Sequence, residues 1–133
     1  MTKEEALTKM WNHLLSLQKG FAFSHQKKRI RFENGEYCYL DLEMYNIEIH
    51  ALVLINVRTG RPKTADIMQM QRLVDYYNRH EKYPHETPSI GLVINNTKDE
   101  TFISFVGVTD EQKRLAEGSL ALAEYKEKSE GIV

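Results

Sequence analysis

The stretch Asn34-Gly35-Glu36-Tyr37-Cys38-Tyr39-Leu40-Asp41-Leu42-Glu43-Met44-Tyr45, followed by IHALVLINV over residues 49–57, decides the fold. Asn-Gly between two alternating segments is the strongest short hairpin signal, because both residues accept the positive φ angles of a type I′ turn. Upstream of it, Ile30 and Phe32 alternate with Arg29 and Arg31, and Phe21 and Phe23 alternate with small or polar residues. Downstream, a period of two places Cys38, Leu40, Leu42 and Met44 on one face. The almost wholly apolar 49–57 run suits a central strand covered on both sides. Three consecutive strands are therefore expected between residues 21 and 57.

Helical periodicity flanks them. Thr2 is placed to cap a first helix, with Glu5 as capping-box partner, and Leu7, Met10, Trp11, Leu14, Leu15 and Leu17 recur at three- and four-residue spacings. Lys19 and Gly20 fit the end of that helix. After the turn Thr59-Gly60-Arg61-Pro62, residues 64–79 carry Ile67, Met70, Leu73, Val74 and Tyr77 at helical spacing. A loop with Pro84 and Pro88 leads to strands at 89–94 and 101–106, joined by a polar turn over 95–100. Asp110 begins a last helix with Leu115, Leu120, Leu122, Ala123 and Tyr125 as its apolar residues. A mixed sheet with helices on both faces buries all these stripes.

The 133 residues fit one domain, 1–133, with a core large enough to need no staples. Cys38 is the single cysteine, so an intramolecular disulfide and a multi-cysteine zinc site are excluded, and a reducing compartment, the cytoplasm, is expected. No apolar run approaches the ~18 residues of a membrane span, and the acidic start MTKEEALTKM does not read as a signal peptide. The formal charge of −1 excludes a generally polycationic chain. It conceals a split: residues 1–63 hold 10 Lys+Arg against 7 Asp+Glu, or +3, and residues 64–133 hold 8 against 12, or −4.

Three sets of side chains bear on chemistry. Asp41 and Glu43 share a strand face about 7 Å apart. Such a pair is either a hard-cation site or a solvated face. Asn56 and Arg58 also share a face, at the end of the most apolar strand, where a polar residue is either buried and bonded or part of a site. Lys19, Lys27, Lys28, Arg29, Arg31, Arg58, Arg61 and Lys63 form a cationic set near Tyr37 and Tyr39. That set either contacts phosphates or is a hydrated surface. His80, Glu81, His85 and Glu86 match no metal-ligand spacing and read as a polar loop, and Cys38 reads as core. Asn95-Asn96-Thr97 spells a sequon without meaning in a cytoplasmic chain.

In order and spacing, these elements resemble the PD-(D/E)xK nuclease superfamily, and within it the YhcG-like bacterial nuclease domain. The resemblance is carried by Lys19-Gly20-Phe21-Ala22-Phe23 with Gln26, by Tyr39-Leu40-Asp41-Leu42 with Tyr45-Asn46, and by Leu52-Val53-Leu54-Ile55 with Thr59-Gly60. It continues through Gln69-Met70, His80-Glu81-Lys82, Pro84 and Glu86-Thr87-Pro88-Ser89-Ile90-Gly91-Leu92. It implies an α/β, restriction-endonuclease-like mixed sheet: helix, three-stranded meander, helix, strand, strand, helix. It also implies phosphodiester hydrolysis with Mg²⁺ or Mn²⁺, an Asp and a Glu holding the metal, a Lys orienting the water and a Gln in support. Asp41 matches the Asp, and Gln69 the Gln.

The third strand departs from the family pattern. Where the family has Glu-x-Lys, this chain reads Asn56-Val57-Arg58. An amide oxygen carries no charge for a hard cation, and a guanidinium is no tunable base. The expectation is a nuclease-fold domain with impaired or lost catalysis, its site residues being Asp41, Asn56, Arg58 and Gln69. Such a domain binds nucleic acid, DNA first and RNA as the alternative, or a nuclease partner, through Lys27, Lys28, Arg29, Arg31, Arg61 and Lys63. One rival is an active Mg²⁺- or Mn²⁺-dependent endonuclease in which Asp41 and a migrated carboxylate, Glu43, hold the metal. The other is an interaction module that forms homo-oligomers through the Trp11 helix and the last helix. Family members that resemble this chain carry an extra helical, DNA-binding-type domain, so a stand-alone variant working through a separate partner protein is also expected.

Overall fold

The computed structural model describes residues 2–17, 21–82 and 87–130, with backbone alone for 21–26. Its elements are α1 (Lys3–Ser16), β1 (Phe21–Arg31), β2 (Tyr37–Asn46), β3 (Ala51–Thr59), α2 (Thr64–His80), β4 (Ile90–Asn96), β5 (Thr101–Val106), α3 (Asp110–Ser119) and α4 (Leu122–Ser129). The strands form one sheet in the order β1-β2-β3-β4-β5, parallel only between β3 and β4. Two adjacent parallel strands need a crossover, and α2 supplies it. The Asn34-Gly35 turn closes the β1–β2 hairpin with Gly35 at φ 87°. This is the α/β, restriction-endonuclease-like mixed sheet expected from the sequence.

Odd and even residues of β3 face opposite layers. Val53, Ile55 and Val57 pack with Ala6, Met10 and Leu14 of α1 and with Leu120, Leu122 and Tyr125 from the C-terminal helices. Leu54 packs with Met70, Leu73, Val74 and Tyr77 of α2. The apolar stripes of α1 and α4 thus face their own sheet. At Gly91 in β4 a Cβ would stand 2.7 Å from Met70 Cγ and 2.8 Å from Val74 Cγ2, so glycine is what lets α2 settle on the sheet.

The structure alters four expectations. Leu15 is exposed, because the buried stripe of α1 passes through Leu14 and half-buried Trp11 instead. The final helix is two helices. Leu120 and Leu122 cannot face one way on a continuous helix, and Ala121 in the left-handed region (φ 48°) turns the chain so that both are buried, while Leu115 and Ala123 are left exposed. Asn95 and Asn96 belong to β4 rather than to the turn, and both are buried. Cys38 and Leu40 pack on the α2 side, but Leu42 and Met44 pack on the α1 side. The alternation of β2 therefore breaks at Asp41. Lys19 and Gly20 as a helix end, and the His85–Glu86 pair, lie outside the described residues, as do the side chains of Phe21, Phe23 and Gln26.

Candidate functional site

The break at Asp41 makes the site. The β2–β3 ladder runs from Asn46↔Ala51 to Leu42↔Ile55 and stops. Beyond it, side chains take over the bonding. The Asp41 N–H donates to Asn56 Oδ1 at 2.9 Å, and the Val57 N–H donates to Asp41 Oδ2 at 2.8 Å. Two polar side chains thus satisfy buried backbone donors that the ladder leaves behind. The Asn56 amide is oriented by this, since only its oxygen can accept from Asp41. Its Nδ2 is left buried without a partner.

Asp41, 3% exposed, carries two cations. Lys3 Nζ at the start of α1 lies 3.2 Å from Oδ1, and Arg58 Nη1 lies 3.2 Å from Oδ2. All three nitrogens of the Arg58 guanidinium are engaged. Nη1 also donates to the Val57 carbonyl at 3.0 Å, Nη2 donates to Gln69 Oε1 at 3.3 Å, and Nε lies 3.5 Å from Asp66 Oδ1. Asp66 and Gln69 stand one turn apart on α2 and so present the same side to β3. One guanidinium bridges two carboxylates and the supporting glutamine.

Glu43 stands apart from this group. It points to the α2 layer, opposite Leu54, and accepts from the Tyr77 hydroxyl and from Lys28 Nζ at 3.1 Å. Burial, and then the Glu43 hydrogen bond, push the Tyr77 hydroxyl well above the ordinary phenol range. Lys28 also lies 5.2 Å from the centre of the Tyr77 ring and 4.0 Å from Glu81. Asp41 and Glu43, expected as a pair, thus have different partners: Lys3 and Arg58 for the first, Tyr77 and Lys28 for the second. Among the described residues, no group of three or more His, Cys, Asp or Glu is placed to hold a metal ion.

The cationic set is divided. Lys28 is committed to Glu43, and Arg58 to Asp41. Lys27 lies 3.4 Å from Glu4, with both side chains largely exposed. Arg29 and Arg31 stand on the outer face of the hairpin beside Tyr37, their guanidinium carbons 4.4 Å and 5.8 Å from its ring centre. Arg61 lies over the Phe102 ring, and Lys63 precedes α2 exposed. The structure thus brings together Asp41, Asn56, Arg58 and Gln69 and adds Lys3 and Asp66, while Tyr77 joins Glu43; the sequence reading left these three out of the site. Asp66 had a signal, an acid in the first turn of the helix that follows the motif strand. Tyr77 read as core. Lys3 had none, since only the packing of α1 brings it near β2.

Residues 2–129 match the family described as the YhcG PDDEXK nuclease domain. A relative in Escherichia coli (strain K12), named "Putative nuclease YhcG", is 29% identical over 92 residues, covering 68% of this chain. The chain spans about a quarter (24%) of that relative's length. A solved crystal structure, that of SSO0001, matches 89% of this chain and 61% of its own, with a TM-score of 0.43 and 20% identity. No described helix is long and apolar enough to cross a membrane.

Proposed function

The chain belongs to the YhcG PDDEXK nuclease domain family, and we propose that it is a catalytically silent member in which Arg58 stands where the family's divalent cation would act. The observation that carries this is the Arg58 guanidinium, held between Asp41, Asp66 and Gln69. Nucleases of this fold use a divalent metal held by charged oxygens, and the residues present do not fit one. Asp41 already bears two cations, and the Asn56 oxygen is committed to the Asp41 N–H. A resident ammonium and guanidinium repel a dication, and a neutral amide adds no compensating charge.

What this chain's own residues do is bind. Arg58 and Lys3 neutralise Asp41, so the end of the sheet is not repulsive to a phosphate. Lys27, Arg29, Arg31, Arg61 and Lys63 are exposed cations of the nucleic-acid surface, with DNA its first candidate ligand and RNA its second. Two assays test the reading. Plasmid and single-stranded substrates with Mg²⁺ or Mn²⁺ are expected to stay intact, and binding is expected to weaken steeply with salt. Cleavage lost equally in Asp41→Ala and Glu43→Ala would establish an active nuclease with a migrated carboxylate instead. Affinity independent of ionic strength would remove the phosphate contacts.

A further inference from the structure

The β1–β2 hairpin leaves two large aromatic rings in water. Tyr37 is 49% exposed and Tyr39 58% exposed, although the intervening and following residues Cys38 and Leu40 are buried against α2. Alternation puts both tyrosines on the opposite face, and Ile30, buried with Cys38, puts Arg29 and Arg31 there as well. In the ladder Arg29 stands opposite Tyr39 and Arg31 opposite Tyr37. Neither arginine has a carboxylate partner among the described residues; both guanidinium groups lie over the Tyr37 ring, 4.4 Å and 5.8 Å from its centre, whereas no cation lies over the Tyr39 ring among the described residues. The result is a sheet surface bearing two rings and two guanidinium groups that pair with no carboxylate among the described residues.

We infer that this hairpin face is a stacking platform for single-stranded nucleic acid, the rings receiving bases and the arginines the phosphates. The inference rests on the nucleic-acid reading above and narrows it to a strand form. Spacing supports the choice. Rings two residues apart on a strand stand about 7 Å apart, about twice the ~3.4 Å rise between stacked bases in a duplex strand. A duplex keeps its bases stacked on each other and offers neither ring a base face. An extended single strand offers one to each, and aromatic platforms of this kind tolerate any base because every base has a π-face. The guanidinium groups supply the charge complement to phosphate and add their own stacking surface.

Fluorescence anisotropy with labelled single-stranded DNA, the same sequence as duplex, and an acidic peptide of matched charge tests this across a salt series. The single strand is expected to bind tightest. Tyr37→Ala and Tyr39→Ala are each expected to weaken it at least about fivefold, the ratio equivalent to ~1 kcal/mol of stacking. Tyr39→Phe is expected to restore binding, and an oligonucleotide lacking bases should lose the dependence on the tyrosines. Both positions are exposed, and unchanged melting of each variant checks folding. Salt-dependent binding that favours the duplex, or that ignores both tyrosine variants, would overturn the platform while leaving nucleic-acid binding intact. Absence of binding to either form would overturn both readings. Tyrosine-dependent binding of the acidic peptide alone would assign the face to a protein partner and overturn the inference.

Discussion

Replacing Arg58 by methionine tests the resident-cation reading in its energetics. Met keeps much of the aliphatic stem and removes the guanidinium. Asp41 then keeps Lys3 at Oδ1 and the Val57 N–H at Oδ2 but loses the charge on Oδ2. Removing one partner of a buried ion pair costs about 3–5 kcal/mol. The Arg58 side chain is 22% exposed and Lys3 remains, so the expected cost is lower, about 2–3 kcal/mol. With ~2.1 cal/mol/K of unfolding entropy per residue, the 133-residue chain loses about 3.6 °C per kcal/mol, or about 7–11 °C in Tm. Urea titration and thermal melting measure it. Asp41→Asn combined with Arg58→Met removes both charges of the buried pair, and the double-mutant cycle is expected to give a coupling of about 2 kcal/mol. Mn²⁺ at ten times its Kd should then raise the stability of Arg58→Met by about 1.4 kcal/mol while leaving the natural protein unmoved. A cost under ~0.5 kcal/mol with no coupling, or equal stabilisation of both proteins by Mn²⁺, would refute the reasoning.

Other perturbations reach different parts of the molecule. Gly91→Ala drives a methyl into Met70 and Val74, and chemical denaturation is expected to show a loss of about 1–3 kcal/mol. Tyr77→Phe removes a donor from buried Glu43 and should cost about 1–3 kcal/mol in the same assay. Burial pushes the Cys38 thiol up to about 11. Between the ordinary thiol range and pH 11 the unfolded chain loses that proton and the folded chain keeps it. Stability should therefore fall as pH rises through this window, and Cys38→Ala should flatten that slope in pH-dependent urea titrations. At pH 8 a thiol reagent should label Cys38 only in denaturant. Asn56→Glu with Arg58→Lys restores the family's motif, and Mn²⁺-dependent nicking of plasmid is the outcome that would show the two positions to be what silences the domain.

Much of this was legible in the residues. Asn34-Gly35 and the apolar 49–57 run announced a hairpin and a central strand, and the 64–79 periodicity placed the crossover helix, because each signal is local. The failures share a cause. Leu40 and Leu42 read as one face because a period of two assumes an unbroken ladder, whereas at Asp41 its own side chain and that of Asn56 on β3 replace the ladder bonds. Ala121 gives no sign of a left-handed conformation, which is imposed by the packing of Leu120 and Leu122. Asp41, Asn56 and Gln69 emerged from motif order, whereas Lys3 entered the site only through tertiary packing.

The two departures on β3 are better understood as one structural change than as two lost residues. A Glu at position 56 would bring a second carboxylate next to Asp41, and like charges at that range need a cation between them. Asn56 removes that need, and its oxygen still accepts the Asp41 N–H, so the ladder's loose end stays satisfied. The Asp41 charge that remains is then met by monovalent groups, Lys3 and Arg58. Arg58 meets it from two residues along and ties β3 to α2 through Asp66 and Gln69. A lysine there would offer a point charge without the fork that joins Asp41, Asp66 and Gln69. Asn56 lowers the local charge to what one guanidinium and Lys3 can balance, and Arg58 has the geometry to do it. Each substitution makes the other tolerable in a buried setting, which is why the scaffold around them is intact.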